Sequence, residues 1–238
     1  PKIGSWQEGL GGSLGGPLRI PKLYDGSDRT FFFVNYNLDR GRAAVDQFST
    51  VPTLAERQGD FSDRGSQLYD PFSNLSGPRT SWGNVIPSGM LNSSAVGLLQ
   101  YIPQPNLPGL VQNFHLQDRI PSATDRLNVR IQHTISPVFH LDVNYSFQEA
   151  KNHTLASFPA FERNQSTRGQ SLTLGLTQNW SRTFSNTTQF FFTRNRSQSL
   201  NQFAFVQNVA GTLGITGVSA NPIDYGVPQL AFTNFTDA

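Results

Sequence analysis

Between residues 125 and 148, apolar and polar side chains take turns. Leu127, Val129 and Ile131 alternate with Arg126, Asn128, Arg130 and Gln132. After Ser136-Pro137-Val138, Phe139, Leu141, Val143, Tyr145 and Phe147 alternate with His140, Asp142, Asn144, Ser146 and Gln148. Successive side chains of a strand point to opposite faces. The pattern predicts a β-hairpin with one apolar and one polar face. A soluble sandwich alternates too, but its polar face is usually richer in Lys and Glu and its connections are short. Here the polar face is mostly uncharged and the flanking connections are long. Those two features together point to a wall between lipid and water, a transmembrane β-barrel.

The same reading gives about six strands, at 7–19, 30–41, 124–135, 139–149, 169–181 and 187–199. In the first, Leu10, Leu14 and Leu18 share a face with Gly12 and Gly16. In the second, Phe32, Val34, Tyr36 and Leu38 oppose Asn35, Asn37 and Asp39. In the fifth, Leu172, Leu174, Leu176 and Trp180 oppose Ser171, Thr173, Gly175, Thr177 and Asn179. The sixth sets Phe190 and Phe192 against Gln189, Thr193 and Asn195, with Phe191 breaking the polar face. Strands near ten residues suit a tilted crossing of a bilayer, whereas the longest apolar runs fall far short of the roughly 20 residues of a membrane helix.

The connections alternate in length. Residues 20–29, 136–138 and 182–186 are short; 42–123, 151–168 and 200–238 are long. Outer-membrane barrels have short periplasmic turns and long extracellular loops, so the long segments are expected outside the cell. Facing parity sets Ile135 opposite Phe139 and Thr134 opposite His140. Arg130 then lies opposite Asn144 and diagonal to Asp142, which predicts that Arg130 and Asp142 meet on the polar face. Phe139, Phe147, Trp180 and Phe184 stand where interfacial aromatic girdles belong. The 42–123 loop is too long to be structureless and should carry order or function of its own. A short helix is expected near 90–101, with Ser88 as its cap and Leu91, Val96, Leu98, Leu99 and Ile102 as packing residues.

Composition narrows the classes. Charged residues are 14%, hydrophobic residues 37%, aromatics 12% and the net charge is +2. That balance argues against disorder. The slight basic excess is spread out, leaving no nucleic-acid footprint. With no Cys there is neither a disulfide framework nor a thiolate metal site. The chain opens on Pro1 without an initiator Met or signal sequence, and 200–238 ends without a closing element. It reads as an internal piece of a longer protein.

Candidate chemistry is thin. The glycines of 9–16 resemble a phosphate loop but lack the Gly-Lys-Ser/Thr ending; a Gly-rich strand packed closely inside a barrel explains them better. His133 and His140 fall on opposite faces and cannot share a metal within the hairpin. Asp60, Ser62 and Asp63 near Gly65 miss the calcium-loop spacing. No Ser/His/Asp set or carboxylate pair stands out. No catalytic residue, metal or cofactor is expected, and the chain is not expected to be an enzyme.

A series of short motifs adds a family resemblance. Leu14-Gly-Gly-Pro17 and Arg29-Thr30-Phe31-Phe32-Phe33-Val34-Asn35-Tyr36 are followed by Val51-Pro52-Thr53, Arg57-Gln58-Gly59-Asp60-Phe61-Ser62, Tyr69-Asp70-Pro71, Gly83-Asn84-Val85-Ile86-Pro87 and Tyr101-Ile102-Pro103-Gln104-Pro105-Asn106. In order and spacing this resembles the early barrel of Oar-like TonB-dependent receptors of the bacterial outer membrane, over about residues 10–150. The resemblance implies a barrel of about 22 strands filled by an N-terminal plug. This chain would be a section of that wall, about its second to seventh strands, with 42–123 as the second outer loop. The plug and TonB-contacting segments would lie elsewhere. The expected partners are outer-membrane lipid, the plug, the TonB complex through those other segments, and a ligand the sequence does not identify. The polar side chains Arg126, Asn128, Arg130, Gln132, His140, Asp142 and Asn144 would face the lumen or the plug. The alternatives are a passive outer-membrane barrel serving adhesion or structure, and a secreted β-sandwich binding module.

Overall fold

A computed structural model describes residues 3–74 and 76–237. In chain order the strands are β1 (Trp6–Pro17), β2 (Arg19–Ile20), β3 (Tyr24–Asp25), β4 (Thr30–Ser49), β5 (Leu68–Tyr69), β6 (Ser81–Gly83), β7 (Phe114–Thr134), β8 (Phe139–Thr154), β9 (Arg163–Asn179) and β10 (Ser185–Asn201). Six of them form one antiparallel sheet in the order β1-β4-β7-β8-β9-β10. Each of the six lies beside the next long strand of the chain, as in an up-and-down wall. The sheet does not close on itself, so β1 and β10 are free edges. The fold is all-β, part of an antiparallel barrel. No described helix is long and apolar enough to cross a membrane.

All six expected strands are present, and the hairpin register is the expected one. Thr134 pairs with His140, Arg130 with Asn144 and Val129 with Tyr145. Across the sheet, apolar residues meet in rows on one face: Val34 pairs with Val129, Ile131 with Val143, Val143 with Leu174, and Leu174 with Phe190. Phe139 and Trp180 meet edge-on at the short-turn end, with ring centroids 5.5 Å apart. From Phe139 to Phe147 the apolar face of β8 runs about 27 Å along the strand. Tilted by about 40°, that spans about 21 Å, close to the apolar band of an outer-membrane barrel.

The strands run further than the alternation suggested. β4 continues from 41 to Ser49, β7 begins at Phe114 rather than 124, β8 reaches Thr154 rather than 149, and β9 begins at Arg163 rather than 169. The physical reason is that these extensions stand above the apolar band. Both of their faces meet water, so the period-2 signal vanishes while the ladder persists: Ala43 still pairs with Ile120 and Gln47 with Leu116. The long connections therefore shrink to 50–113, 155–162 and 202–237. The first strand, conversely, stops at Pro17 rather than 19. The 20–29 connection is not a simple turn. It holds the small β2–β3 ribbon, with Arg19 paired to Asp25.

The helix expected at 90–101 is broken. Ser88–Met90 and Leu99–Tyr101 are single 3-10 turns around α1 (Ser93–Leu98). Its cap is Asn92, whose side chain accepts the Ala95 N–H at 3.0 Å, not Ser88. Ile102 is buried and Leu99 packs beside it, but Val96 is exposed. A second helix, α2 (Val209–Thr212), lies in the 202–237 segment and buries Val209 and Ala210.

The buried core sits in the outer loops and at the outer end of β7, not in the membrane-facing part of the wall. Val51, Ile102, Phe114 and Phe158 form its centre, with Leu99, Leu116, Phe161 and Leu230 packed against it. Three connections meet here. Asn113, fully buried, accepts the Val51 N–H and donates to the Val51 carbonyl, both at 2.8 Å. Thr236 donates its backbone N–H to the Thr50 carbonyl at 3.0 Å. Gln47 donates to the carbonyls of Ala156 and Ser157, both at 3.2 Å.

Candidate functional site

Two surfaces have the makings of a functional site: the polar face of the sheet and the folded body of outer loops. On the polar face, Arg126, Asn128, Arg130 and Gln132 come from β7, and His140, Asp142 and Asn144 from β8. Strand parity puts all seven side chains on one side, where Asn128 pairs with Ser146 and Gln132 with Asp142. The expected meeting occurs: Arg130 Nη2 lies 2.8 Å from Asp142 Oδ2. Ser146 and Ser171 hydroxyls share a hydrogen bond of 2.7 Å, carrying the polar row into β9.

Two open cavities lie on this face. One, of about 480 Å³, is flanked by Asn37, Arg126, Asn128, Gln148, Ser171 and Asn195. The other, of about 490 Å³, is flanked by Arg130, Gln132, His140, Asp142, Thr173 and Gln189. Asn144 lines neither. Several contributors are missing from the sequence-level set. Asp39 pairs with Arg126 across β4 and β7. Phe33 stands opposite Arg130, Phe31 opposite Gln132, and Phe191 opposite Thr173, all on the polar side. Simple parity from Asn35, Asn37 and Asp39 reaches Phe31 and Phe33. The run of three phenylalanines hides it, because both faces look apolar there.

The glycines of β1 explain how its neighbour's side chains lie down. A Cβ on Gly11 would stand 2.1 Å from Asn37 Oδ1, and one on Gly9 3.0 Å from Asp39 Oδ1. These polar side chains of β4 lean across the bare backbone of β1. On the opposite face Gly12 and Gly16 meet nothing.

The motifs at 51–106 turn out to be clamps of the outer body. The Arg57 guanidinium donates to the carbonyls of Leu99 at 2.8 Å, Ile102 at 3.0 Å and Pro52 at 3.2 Å, and also to that of Pro103. Partial burial pulls its pKa below the usual arginine value. Gly59, at φ +89°, makes the turn no other residue takes without strain, and its carbonyl accepts the Ile86 N–H at 2.9 Å. The Asp60 carboxylate accepts from the Ser62 side chain and backbone N–H, which holds its pKa below the ordinary carboxylate value. The Glu56 carboxylate is buried against Arg64. Asn106 bridges both backbone groups of His115 at 2.8 Å. A third cavity, of about 360 Å³, lies between Ser157, Phe161, Arg163, Val227 and Gln229.

The site's chemistry is that of hydrogen bonding and balanced charge. Among the described residues no three His, Cys, Asp or Glu side chains gather to hold a metal ion. The family model for an outer membrane beta barrel domain matches residues 5–238. The chain belongs to that family. No curated protein and no solved structure matches the chain. Membership in the family assigns it to the bacterial outer membrane and gives its two faces their solvents. The apolar face meets lipid, and the opposite, polar face with its two cavities looks away from it.

Proposed function

We propose that this barrel section belongs to a TonB-dependent outer-membrane receptor, which binds a ligand at its outer loops and imports it with energy relayed by TonB. The observation that carries the reading is the outer-loop body. Its ordered motifs, the ones similar to Oar-like receptors, form a packed, hydrogen-bonded structure at one end of a polar wall. A ligand-capturing surface needs such rigidity, because loops that order only on binding lose affinity. In this reading Arg126, Asn128, Arg130, Gln132, His140, Asp142 and Asn144 face a plug domain, and their unspent donors and acceptors bond to its backbone. Asp39, Phe31 and Phe33 join them. The ligand is a small solute recognised outside the cell. No catalysis is involved.

A packed outer body would serve an adhesin equally, so a passive barrel is the competing reading. Ligand accumulation by cells expressing the full-length protein separates the two. Uptake that stops when TonB is deleted or the proton-motive force is collapsed supports the receptor. Uptake or surface binding indifferent to both refutes it.

A further inference from the structure

At its inner, short-turn end the lipid-facing side of the wall has a polar gap. Below the apolar rung Phe32–Ile131–Val143–Leu174 comes Thr30, paired to His133, which is paired to Leu141 and through it to Leu176. The half of that rung on β8 and β9 is apolar; the half on β4 and β7 is not. The β2–β3 ribbon covers the polar half. The Tyr24 and Thr30 hydroxyls share a hydrogen bond of 2.5 Å, and the Thr30 hydroxyl shares another of 2.7 Å with His133 Nδ1. Thr30 is buried beneath. Gly26 lets the tyrosine lie there: a Cβ on it would run into the edge of the Tyr24 ring and stand 3.0 Å from Thr30 Cβ.

The ribbon held in this way turns apolar groups outward. Ile20 pairs with Tyr24 across it. A tight turn follows, with Lys22 at φ +65° and the Leu23 N–H donated to the Ile20 carbonyl at 3.0 Å. Leu23 is 80% exposed and Ile20 43%. Arg19 is paired with Asp25 at 3.3 Å, so little unbalanced charge resists desolvation of the ribbon. The other inner connections, from Thr134 to Phe139 and from Asn179 to Ser185, are single turns, as is usual in such barrels. Joining two strands at this end therefore requires neither a ribbon nor an apolar tip.

Depth identifies what covers that tip. Thr30 lies two residues beyond Phe32, about 7 Å along the strand and about 5 Å in depth at a tilt of about 40°. The headgroup layer occupies about 5–8 Å on each side of the hydrocarbon core. The Tyr24 hydroxyl is therefore at the lipid–water boundary, where tyrosines with one apolar and one polar end collect. The clasp is made on β4 and β7, inside the sheet, and the surface it joins is continuous with the lipid-facing wall. We propose that the β2–β3 ribbon is a foot resting in the inner leaflet, clasped to the wall by Tyr24 through Thr30 and His133, with Leu23 and Ile20 seated at the ends of the lipid chains. Lys22, at the tip, keeps its ammonium in the headgroup layer at the end of its apolar stem. The inference follows from the barrel fold and does not depend on the barrel being a receptor.

The test uses the full-length protein in nanodiscs of phosphatidylethanolamine and phosphatidylglycerol, with a nitroxide label on Leu23→Cys. This chain has no Cys of its own to compete for the label. Power saturation of the label compares its access to oxygen, which concentrates in the hydrocarbon, with its access to a water-soluble nickel chelate. Val143→Cys on the lipid face and Arg182→Cys in the β9–β10 turn serve as the lipid and water references, and heat-modifiable migration confirms that each variant folds. The label at 23 should favour oxygen, as at 143, whereas the label at 182 should favour nickel. Adding Tyr24→Phe removes the clasp and should lower the oxygen-to-nickel ratio at 23 by about threefold, the shift that one hydrogen bond sustains. Preference for nickel at 23 would put the ribbon in water, and exclusion of both reagents would put it against protein. Either result, or a ratio unchanged by Tyr24→Phe, would overturn the proposal.

Discussion

Val143 sits midway along the apolar face of β8, four residues from Phe139 at the turn end and four from Phe147 at the outer end. It pairs with Ile131 on one side and Leu174 on the other, both on the lipid-facing side. Each half of the band is about 14 Å of strand, or about 10 Å of depth at a tilt of about 40°. Val143 is therefore at the bilayer midplane. A Val143→Arg substitution should cost about 2–4 kcal/mol, a roughly 30- to 800-fold change in the folding equilibrium. Two matched substitutions sharpen the test. Asn144→Arg, one residue on, points to the polar face and should cost under about 0.5 kcal/mol. Gln178→Arg lies on the lipid face, but opposite Phe139 at the turn end, and should cost about 0–1 kcal/mol. The measurement is the urea midpoint of the full-length barrel in liposomes, followed by heat-modifiable migration on gels. Depth and face are the two variables. Equal costs at Val143 and Asn144 would refute the assignment of faces. A larger cost at Gln178 than at Val143 would refute the position of the band.

Gly26 is buried in the 18–29 turn, where a Cβ would lie 2.8 Å from the Leu18 carbonyl oxygen. Gly26→Ala should lower the same urea midpoint by about 1–3 kcal/mol, while Gly12→Ala, with open space around it, should be neutral. Arg57→Ala removes bonds to several loop carbonyls and should destabilise the 50–113 loop locally by at least about 2 kcal/mol. Faster protease cutting on intact cells with an unchanged barrel midpoint would bear that out; an equal fall in both would not. The Arg130–Asp142 pair is about half exposed, so a double-mutant cycle in the barrel should give about 0.2–1 kcal/mol of coupling. The Asp60 carboxyl has a lowered pKa in the fold, so its contribution is fully present above the unfolded value near 3.9 and is lost as pH falls through the lower folded value. Protease cutting of the 50–113 loop should rise below about pH 4, and Asp60→Asn should flatten that rise; an unchanged acid profile in the variant would count against the cause.

Hydrophobic alternation revealed what lipid imposes and little else. Where one face meets hydrocarbon and the other water, as from Leu127 to Ile131 and from Phe139 to Phe147, every second residue obeys and the register follows. Above Leu38 and Phe147 both faces meet water. Ala43, Ala44 and Val45 then sit in a ladder with Ile120, Arg119 and Asp118 that no period-2 pattern announces. Polar-face residues were legible wherever their neighbours alternated, as for Arg130 and Asp142. Phe31 and Phe33 were masked by the phenylalanine run, whereas Asp39 alternates legibly with Leu38 and lies only outside the 125–148 hairpin. The outer body was legible only as a set of ordered motifs. Its geometry depends on contacts such as Asn113 with Val51 and Arg57 with Leu99, whose partners are too distant in sequence for local patterning to pair them.

This division also separates two sources of stability. The residues that are both apolar and buried, such as Val51, Ile102, Phe158 and Val209, belong to the outer body, joined by Phe114 from the outer end of β7. The wall's own apolar residues remain on its surface, where lipid is their solvent. Burial against protein therefore stabilises the loops, whereas the bilayer and the interstrand ladder stabilise the wall. A free edge is tolerable in water but not in hydrocarbon, where each unpaired backbone group costs several kcal/mol. The exposed ladders of β1 and β10 thus require further strands before this sheet can reside in the membrane. The outer body has no such requirement, since its clamps are internal. Arg57→Ala should consequently leave the wall intact while loosening the outer body, and Val143→Arg should do the reverse: impair assembly while the outer body of the molecules that do assemble keeps its resistance to protease.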